Sequence, residues 1–233
     1  MVKKELISRS PLRILEKSTN GGVGKGNIGV IAARKGVGKT ACLVHIATDQ
    51  LFQGKHVIHV SFAQNTNHIV SWYEHIFEEI SRRHKLDCTM DVHDDIIKRR
   101  VIMNFRQDGV QSEQVQKGIR SMIKEGNFSA DLVVVDGYDF SSISAEEFSS
   151  YKKLAEELGI EIWFSATLHR DSSFVNGIPS ILTPVINQLA IIIMLEPREG
   201  HIRLKLVKDH ESTLSEDLHL KLDPQILLIA EEA

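Results

Sequence analysis

Two stretches of the chain place glycine and lysine in the order Gly-Val-Gly-Lys: Gly22-Val23-Gly24-Lys25 and Gly36-Val37-Gly38-Lys39. Glycine lets a loop turn its backbone N–H groups inward around an anion, and lysine supplies a compensating charge. Only the second stretch is followed by a hydroxyl. It reads Ala33-Arg34-Lys35-Gly36-Val37-Gly38-Lys39-Thr40, which is G-x-x-x-x-G-K-[ST] with alanine in the first place. Alanine there is a mild departure, because the later glycines allow the close approach to phosphate. The residues expected to hold a nucleotide phosphate are Ala33, Arg34, Lys35, Gly36, Val37, Gly38, Lys39, Thr40 and Ala41. Lys39 would reach the β- and γ-phosphates, and the Thr40 hydroxyl would bind magnesium. Far downstream, Leu132-Val133-Val134-Val135-Asp136 is an apolar run with an acidic end. Asp136 is the matching acid, expected to orient the same magnesium through water.

A phosphate loop needs a strand before it and a helix after it, so that the helix N-terminus adds its unpaired N–H groups and partial positive charge. The second copy has both: an apolar strand is predicted over 27–32 and a helix over 40–51. The first copy has neither, and Gly26 stands where the hydroxyl should be; it reads as a flexible lead-in. Around this pair the pattern alternates. Strands are predicted over 56–62, 101–105, 132–136, 161–166, 190–195 and 202–207, and short ones over 218–222 and 226–229. Helices are predicted over 11–19, 68–84, 93–100, 111–124, 144–158 and 184–188, with a polar loop over 171–180 and a hairpin turn over 198–201. Continuous apolar strands separated by helices imply an α/β fold: a mostly parallel central sheet with helices on both faces and antiparallel strands added at one edge. Residues 1–26 form a helix and a glycine-rich lead-in; residues 27–233 form one nucleotide-binding domain.

The 233 residues, 42% hydrophobic and 25% charged, suit one soluble globular domain, and the net charge of −3 makes the whole molecule no magnet for nucleic acid. Cys42 and Cys88 have no metal-ligand or disulfide spacing. No apolar run approaches the roughly 20 residues that span a bilayer, and no apolar leader opens the chain. The reading is a cytoplasmic protein with no membrane partner.

The motifs together resemble the RecA-like ATPases, in particular the branch of DnaB-type helicases and KaiC-type proteins. NIGVIAARKGVGKTACLVHIA is similar to that family's strand, phosphate loop (Walker A) and helix, and DLVVVDGYDF to its Walker B strand. GKHVIHVSFA, WFSATLHR and IRLKLVKDH are similar to its second, sensor and trans-acting strands. The resemblance implies ATP or ADP with Mg²⁺ as ligands and a homo-oligomer with sites between subunits. It places Thr167 at the γ-phosphate sensor, where the helicases usually have glutamine. Lys208 and His210 fall at the lysine and arginine that reach a neighbour's nucleotide.

Two positions depart from the family. The glutamate that orients the attacking water is replaced by Ala63, followed by Gln64, and the trans-acting arginine by His210. Alanine cannot polarise water, and glutamine can position it but is a poor base. Histidine is a weaker and pH-dependent charge clamp. The expectation is therefore nucleotide binding with slow hydrolysis: a nucleotide-dependent switch or assembly factor with an unidentified protein partner. An active nucleic-acid motor is the alternative. A ParA/MinD-type partitioning ATPase fits less well, since it wants lysine at Arg34 and glycine at Lys35. Nucleic acid is disfavoured because residues 171–180, which match a DNA-touching loop of the recombinases, carry no lysine or arginine beyond Arg170 at the edge. His56 and His59 fall on opposite strand faces, Asp91, His93, Asp94 and Asp95 read as a solvated helix start, and the basic runs 82–85 and 98–100 as helix ends.

Overall fold

The computed structural model describes residues 2–63, 65–86, 89–105, 112–141 and 143–232. Two short helices, α1 (Val2–Ser8) and α2 (Leu12–Ser18), open the chain. Strand β1 (Ile28–Arg34) then leads into α3 (Lys39–Phe52), followed by β2 (Val57–Ser61), α4 (Thr66–His84) and α5 (Thr89–Lys98). Next come β3 (Arg100–Asn104), α6 (Ser112–Lys124), β4 (Leu132–Asp136), α7 (Ala145–Leu158) and β5 (Glu161–Leu168). A two-stranded hairpin of β6 (Phe174–Val175) and β7 (Ile178–Pro179) precedes a 3₁₀ segment, Ser180–Gln188. The chain closes with β8 (Ile191–Arg198), β9 (His201–Asp209), β10 (Ser212–Leu222) and β11 (Ile229–Glu231).

Nine strands form one sheet in the order β11-β10-β9-β8-β1-β5-β4-β2-β3. From β8 to β3 every pairing is parallel, and β9, β10 and β11 are added antiparallel at the β8 edge. The predicted α/β class and antiparallel edge are both present. Parallel strands are buried on both faces, which is why β2 and the first four residues of β4 are buried and β4 reads as a continuous apolar run. Alternation along each strand sends Ile31, Val57, Val134 and Trp163 to the face covered by α1 to α5, where they meet Leu43 and Ile76. The other residues, Val30, Ile58, Val133 and Phe164, meet Val115, Phe148 and Tyr151 on the face covered by α6 and α7.

Helix α7 has its boundaries written locally. Ser144 caps it by accepting from the Glu147 N–H at 3.0 Å, and Gly159 ends it in the left-handed region at φ 62°. Elsewhere the structure departs from expectation. α1 was not predicted, and its Leu6 joins Leu12 and Leu15 of α2 in the core. The first glycine stretch is no loose lead-in. Val23 is fully buried against Gly29 and Trp163, so close that a Cβ on Gly29 would stand 2.6 Å from a Val23 methyl. The Gly26 N–H donates to the Ile160 carbonyl at 2.8 Å. The loop predicted over 171–180 holds the β6–β7 hairpin. The strand predicted over 218–222 begins six residues earlier, and that predicted over 226–229 shifts to Ile229–Glu231. Asp223 explains the shift: its N–H donates to the Leu228 carbonyl, and its carbonyl accepts from the Leu227 N–H at 2.7 Å, closing a turn.

Candidate functional site

The parallel strands end together on one edge of the sheet, and the phosphate-loop stretch emerges there. Ala33 and Arg34 are the last residues of β1; residues 35–38 turn, and Lys39 and Thr40 open α3. Gly36 (φ 81°) and Gly38 (φ 112°) take conformations that side chains resist. At Gly38 there is also no room, because a Cβ would meet a Leu222 methyl of β10. Gly38 is the N-cap of α3 and offers no side-chain acceptor. The first-turn N–H groups therefore face outward without an internal partner, the arrangement that binds anions.

Lys39 folds back over this turn. Its ammonium donates to the carbonyls of Ala33 at 3.0 Å and Arg34 at 3.1 Å. It is only 8% exposed; burial lowers its pKa, and the nearby Asp136 carboxylate partly opposes this. Ninety-six residues separate Thr40 from Asp136, yet the Thr40 hydroxyl donates to Asp136 Oδ2 at 2.8 Å. A hydroxyl whose proton is committed to a carboxylate presents its lone pairs elsewhere, as a metal ligand must. Ala41 is fully buried one residue on and anchors the helix.

Register holds Asp136 in place. It ends β4 opposite Ser61 of β2, and its carbonyl accepts from the Phe62 N–H at 3.1 Å. The next N–H, of Gly137, donates to buried Ser165 Oγ of β5 at 2.8 Å. Strand β5 lies between β1 and β4. Thr167 pairs with Ala33 and shares the face of Trp163 and Ser165, so it stands beside the phosphate loop. Ala63 lies two residues beyond β2, with its N–H on Ser61 Oγ at 3.1 Å, and its side chain is a methyl group. Gln64 lies outside the described residues.

Lys208 and His210 are not brought to this edge. β9 runs antiparallel to β8, and Asp209 pairs with Ile191 at the opposite end of the sheet. The Lys208 ammonium donates to the Leu189 carbonyl at 2.7 Å and also contacts the His210 carbonyl. The His210 ring sits 2.7 Å from Asp209 Oδ1, and Asp209 Oδ2 accepts from Asn20 Nδ2 at 3.1 Å. The first glycine stretch therefore abuts Asp209, at the far end from the second.

A constellation that the sequence hid adjoins the turn between β1 and α3. An open cleft of 370 Å³ runs between the loop and the β6–β7 hairpin. Arg34, His169, Arg170 and Arg198 line it with Phe174 at its rim, and all five side chains are exposed. Arg198 pairs with Glu196 at 2.9 Å, and Glu196 also pairs with Arg203 at 2.7 Å. Arg170 drew notice only as a loop edge, because the three arginines come from three separate elements.

His56 packs edge-on against Phe128, and His59 is buried beneath α4. His93 bonds Glu74, Asp95 bonds Arg99, and among the described residues no group of three His, Cys, Asp or Glu assembles into a metal cage. Cys42 is buried, which pushes its thiol pKa up to about 12; Cys88 lies outside the described residues. Comparison with family models finds no match, and comparison with curated proteins finds none either.

Proposed function

We propose that the chain binds ATP or ADP with magnesium at the turn between β1 and α3, in the manner of the RecA-like ATPases it resembles, and acts as a nucleotide-dependent switch with slow hydrolysis. The observation that carries this reading is the hydrogen bond from Thr40 to Asp136 beside an uncapped helix N-terminus and the Lys39 ammonium. Phosphate oxygens would take the first N–H groups of α3 and draw Lys39 from its two carbonyls. Magnesium would neutralise phosphate charge and fix the oxygens in place; the residues present fit it, with Thr40 as direct ligand and Asp136 accepting from its water shell. Thr167, which pairs with Ala33, would donate to a terminal phosphate. Slow hydrolysis follows from Ala63, whose methyl group neither orients nor deprotonates water at the end of β2. Lys208 and His210, at the opposite end of the sheet, would reach a nucleotide only in a neighbouring copy, so the reading includes a head-to-tail homo-oligomer. No helix among the described residues is long and apolar enough to cross a membrane.

One observation favours a second reading, a nucleic-acid-dependent ATPase. The cleft beside the loop gathers Arg34, Arg170 and Arg198 with an exposed Phe174, the charge-plus-aromatic combination that holds single strands. Fluorescence anisotropy with a labelled 20-mer of deoxythymidine decides between them. On the switch reading, wild-type protein shows no salt-sensitive binding at micromolar concentration. On the motor reading it binds, Arg170→Glu releases the strand, and the strand accelerates ATP turnover.

A further inference from the structure

A buried polar pair, His59 of β2 and Tyr73 of α4, lies near Asp136. His59, in the middle of β2, is completely buried. Its Nδ1 sits 3.1 Å from the hydroxyl of Tyr73 on α4, and its Nε2 has no hydrogen-bond partner. A histidine with an orphaned ring nitrogen is an expensive way to fill an apolar layer. Its place suggests why it is there. His59 pairs with Val134 and Ser61 with Asp136, so His59 and Asp136 lie on the same face of adjacent strands, one step apart along that face. Diagonal neighbours of this kind are within reach of a ring side chain.

The proton can be placed as well. The buried Tyr73 hydroxyl must give its hydrogen to an acceptor, and His59 Nδ1 stands at hydrogen-bonding distance. A neutral imidazole that accepts at Nδ1 carries its proton on Nε2. Burial holds His59 neutral, with its pKa lowered to about 4 even though Asp136 pulls the other way. Arg100 stacks on the Tyr73 ring, 4.2 Å from its centroid. Thr40 already occupies one Asp136 oxygen, Oδ2.

We propose that His59 is a positioning residue for Asp136: Tyr73 fixes its tautomer, and the Nε2 proton is held for the Asp136 carboxylate when that carboxylate turns to a metal's water shell. The inference rests on the nucleotide reading above and assigns a support for the metal half of that site. Outer-shell partners of this type fix ligand orientation, and losing one typically weakens metal affinity about 10- to 100-fold.

The test compares ATP affinity with magnesium and with EDTA by calorimetry, in wild type, His59→Phe, His59→Gln and Tyr73→Phe. Wild type should bind more tightly with magnesium. His59→Phe should match wild type in EDTA but lose about tenfold or more of the magnesium-dependent gain. His59→Gln, which keeps an N–H donor, should restore most of it. Tyr73→Phe, which frees the tautomer and barely changes shape, should show the same loss in weaker form. It also carries the test should His59→Phe fail to fold, and then an undiminished magnesium gain in Tyr73→Phe overturns the proposal. A folded His59→Phe with the full gain overturns it while leaving the nucleotide site intact. Wild type without ATP binding removes the nucleotide reading itself, and this inference with it.

Discussion

Replacing Lys39 with methionine separates binding from folding. In the ligand-free fold the ammonium is almost fully buried and held by two backbone carbonyls, at 3.0 and 3.1 Å. With nucleotide bound, those two bonds would be exchanged for two charge-assisted bonds to phosphate. Hydrogen bonds to charged groups contribute about 1.5–3 kcal/mol each, and the two carbonyl bonds given up on binding offset part of that gain, so methionine should weaken ATP by roughly 1.5–3 kcal/mol. That is a factor of roughly 10–100 in Kd. Stability should move the other way. Folding lowers the pKa of Lys39, so the charged form is disfavoured in the fold. Methionine has similar length and no charge, and removes that penalty. Isothermal calorimetry should show ATP affinity falling at least tenfold, and a thermal melt should show Tm unchanged or slightly raised. A Kd within threefold of wild type refutes the phosphate role of Lys39. A large fall in Tm refutes the claim that its charge is a burden to the folded chain.

Gly38→Ala should lower Tm by about 5–15 °C, because a left-handed residue and a clash with Leu222 together cost about 2–5 kcal/mol; adding Leu222→Ala should recover only the part due to the clash. Ala63→Glu should raise ATP turnover at least tenfold at unchanged affinity, and no gain means the missing carboxylate does not limit hydrolysis. His45 Nδ1 accepts from the Ile229 N–H at 2.9 Å and pins the start of β11; burial first, then the charge of Arg83, lowers its pKa from 6.5 to about 4. The unfolded chain therefore binds the proton first, and this contribution is whole above pH 6.5 and lost as pH falls toward 4, by a few kcal/mol. Denaturant melts of His45→Gln should lose less stability over that interval than wild type, and identical pH slopes would exclude His45 as a source of the acid sensitivity.

The turn between β1 and α3 was legible because its pattern is local: β1, the glycine turn and the Lys39–Thr40 helix start are contiguous, and each leaves a composition signal. Asp136 was legible because a buried parallel strand reads as an apolar run with a visible end. The edge strands were harder. β10 pairs with β9 through register shifts between Thr213 and Glu216 and between Asp217 and Leu220, and such irregularities erase the two-residue alternation that marks a strand. The arginine cleft was illegible for a different reason: Arg34 and Arg198 end β1 and β8, Arg170 lies two residues beyond β5, and only the sheet order makes them neighbours. The packing of Val23 into Gly29 was hidden likewise, since a glycine-rich segment looks the same whether it floats or docks. His59 could have been noticed as a polar residue in a strand otherwise apolar, but its relation to Asp136 depends on β2 pairing with β4.

The most direct test of the account is ATP binding and ATP turnover measured on one purified sample, with and without single-stranded DNA. The account predicts magnesium-dependent binding at micromolar concentration and turnover below about one per minute, against the 1–10³ s⁻¹ of ordinary enzymes, unchanged by DNA. Absence of binding at millimolar ATP would contradict the nucleotide site. Fast turnover raised further by DNA would contradict the switch and make the arginine cleft the track of a motor.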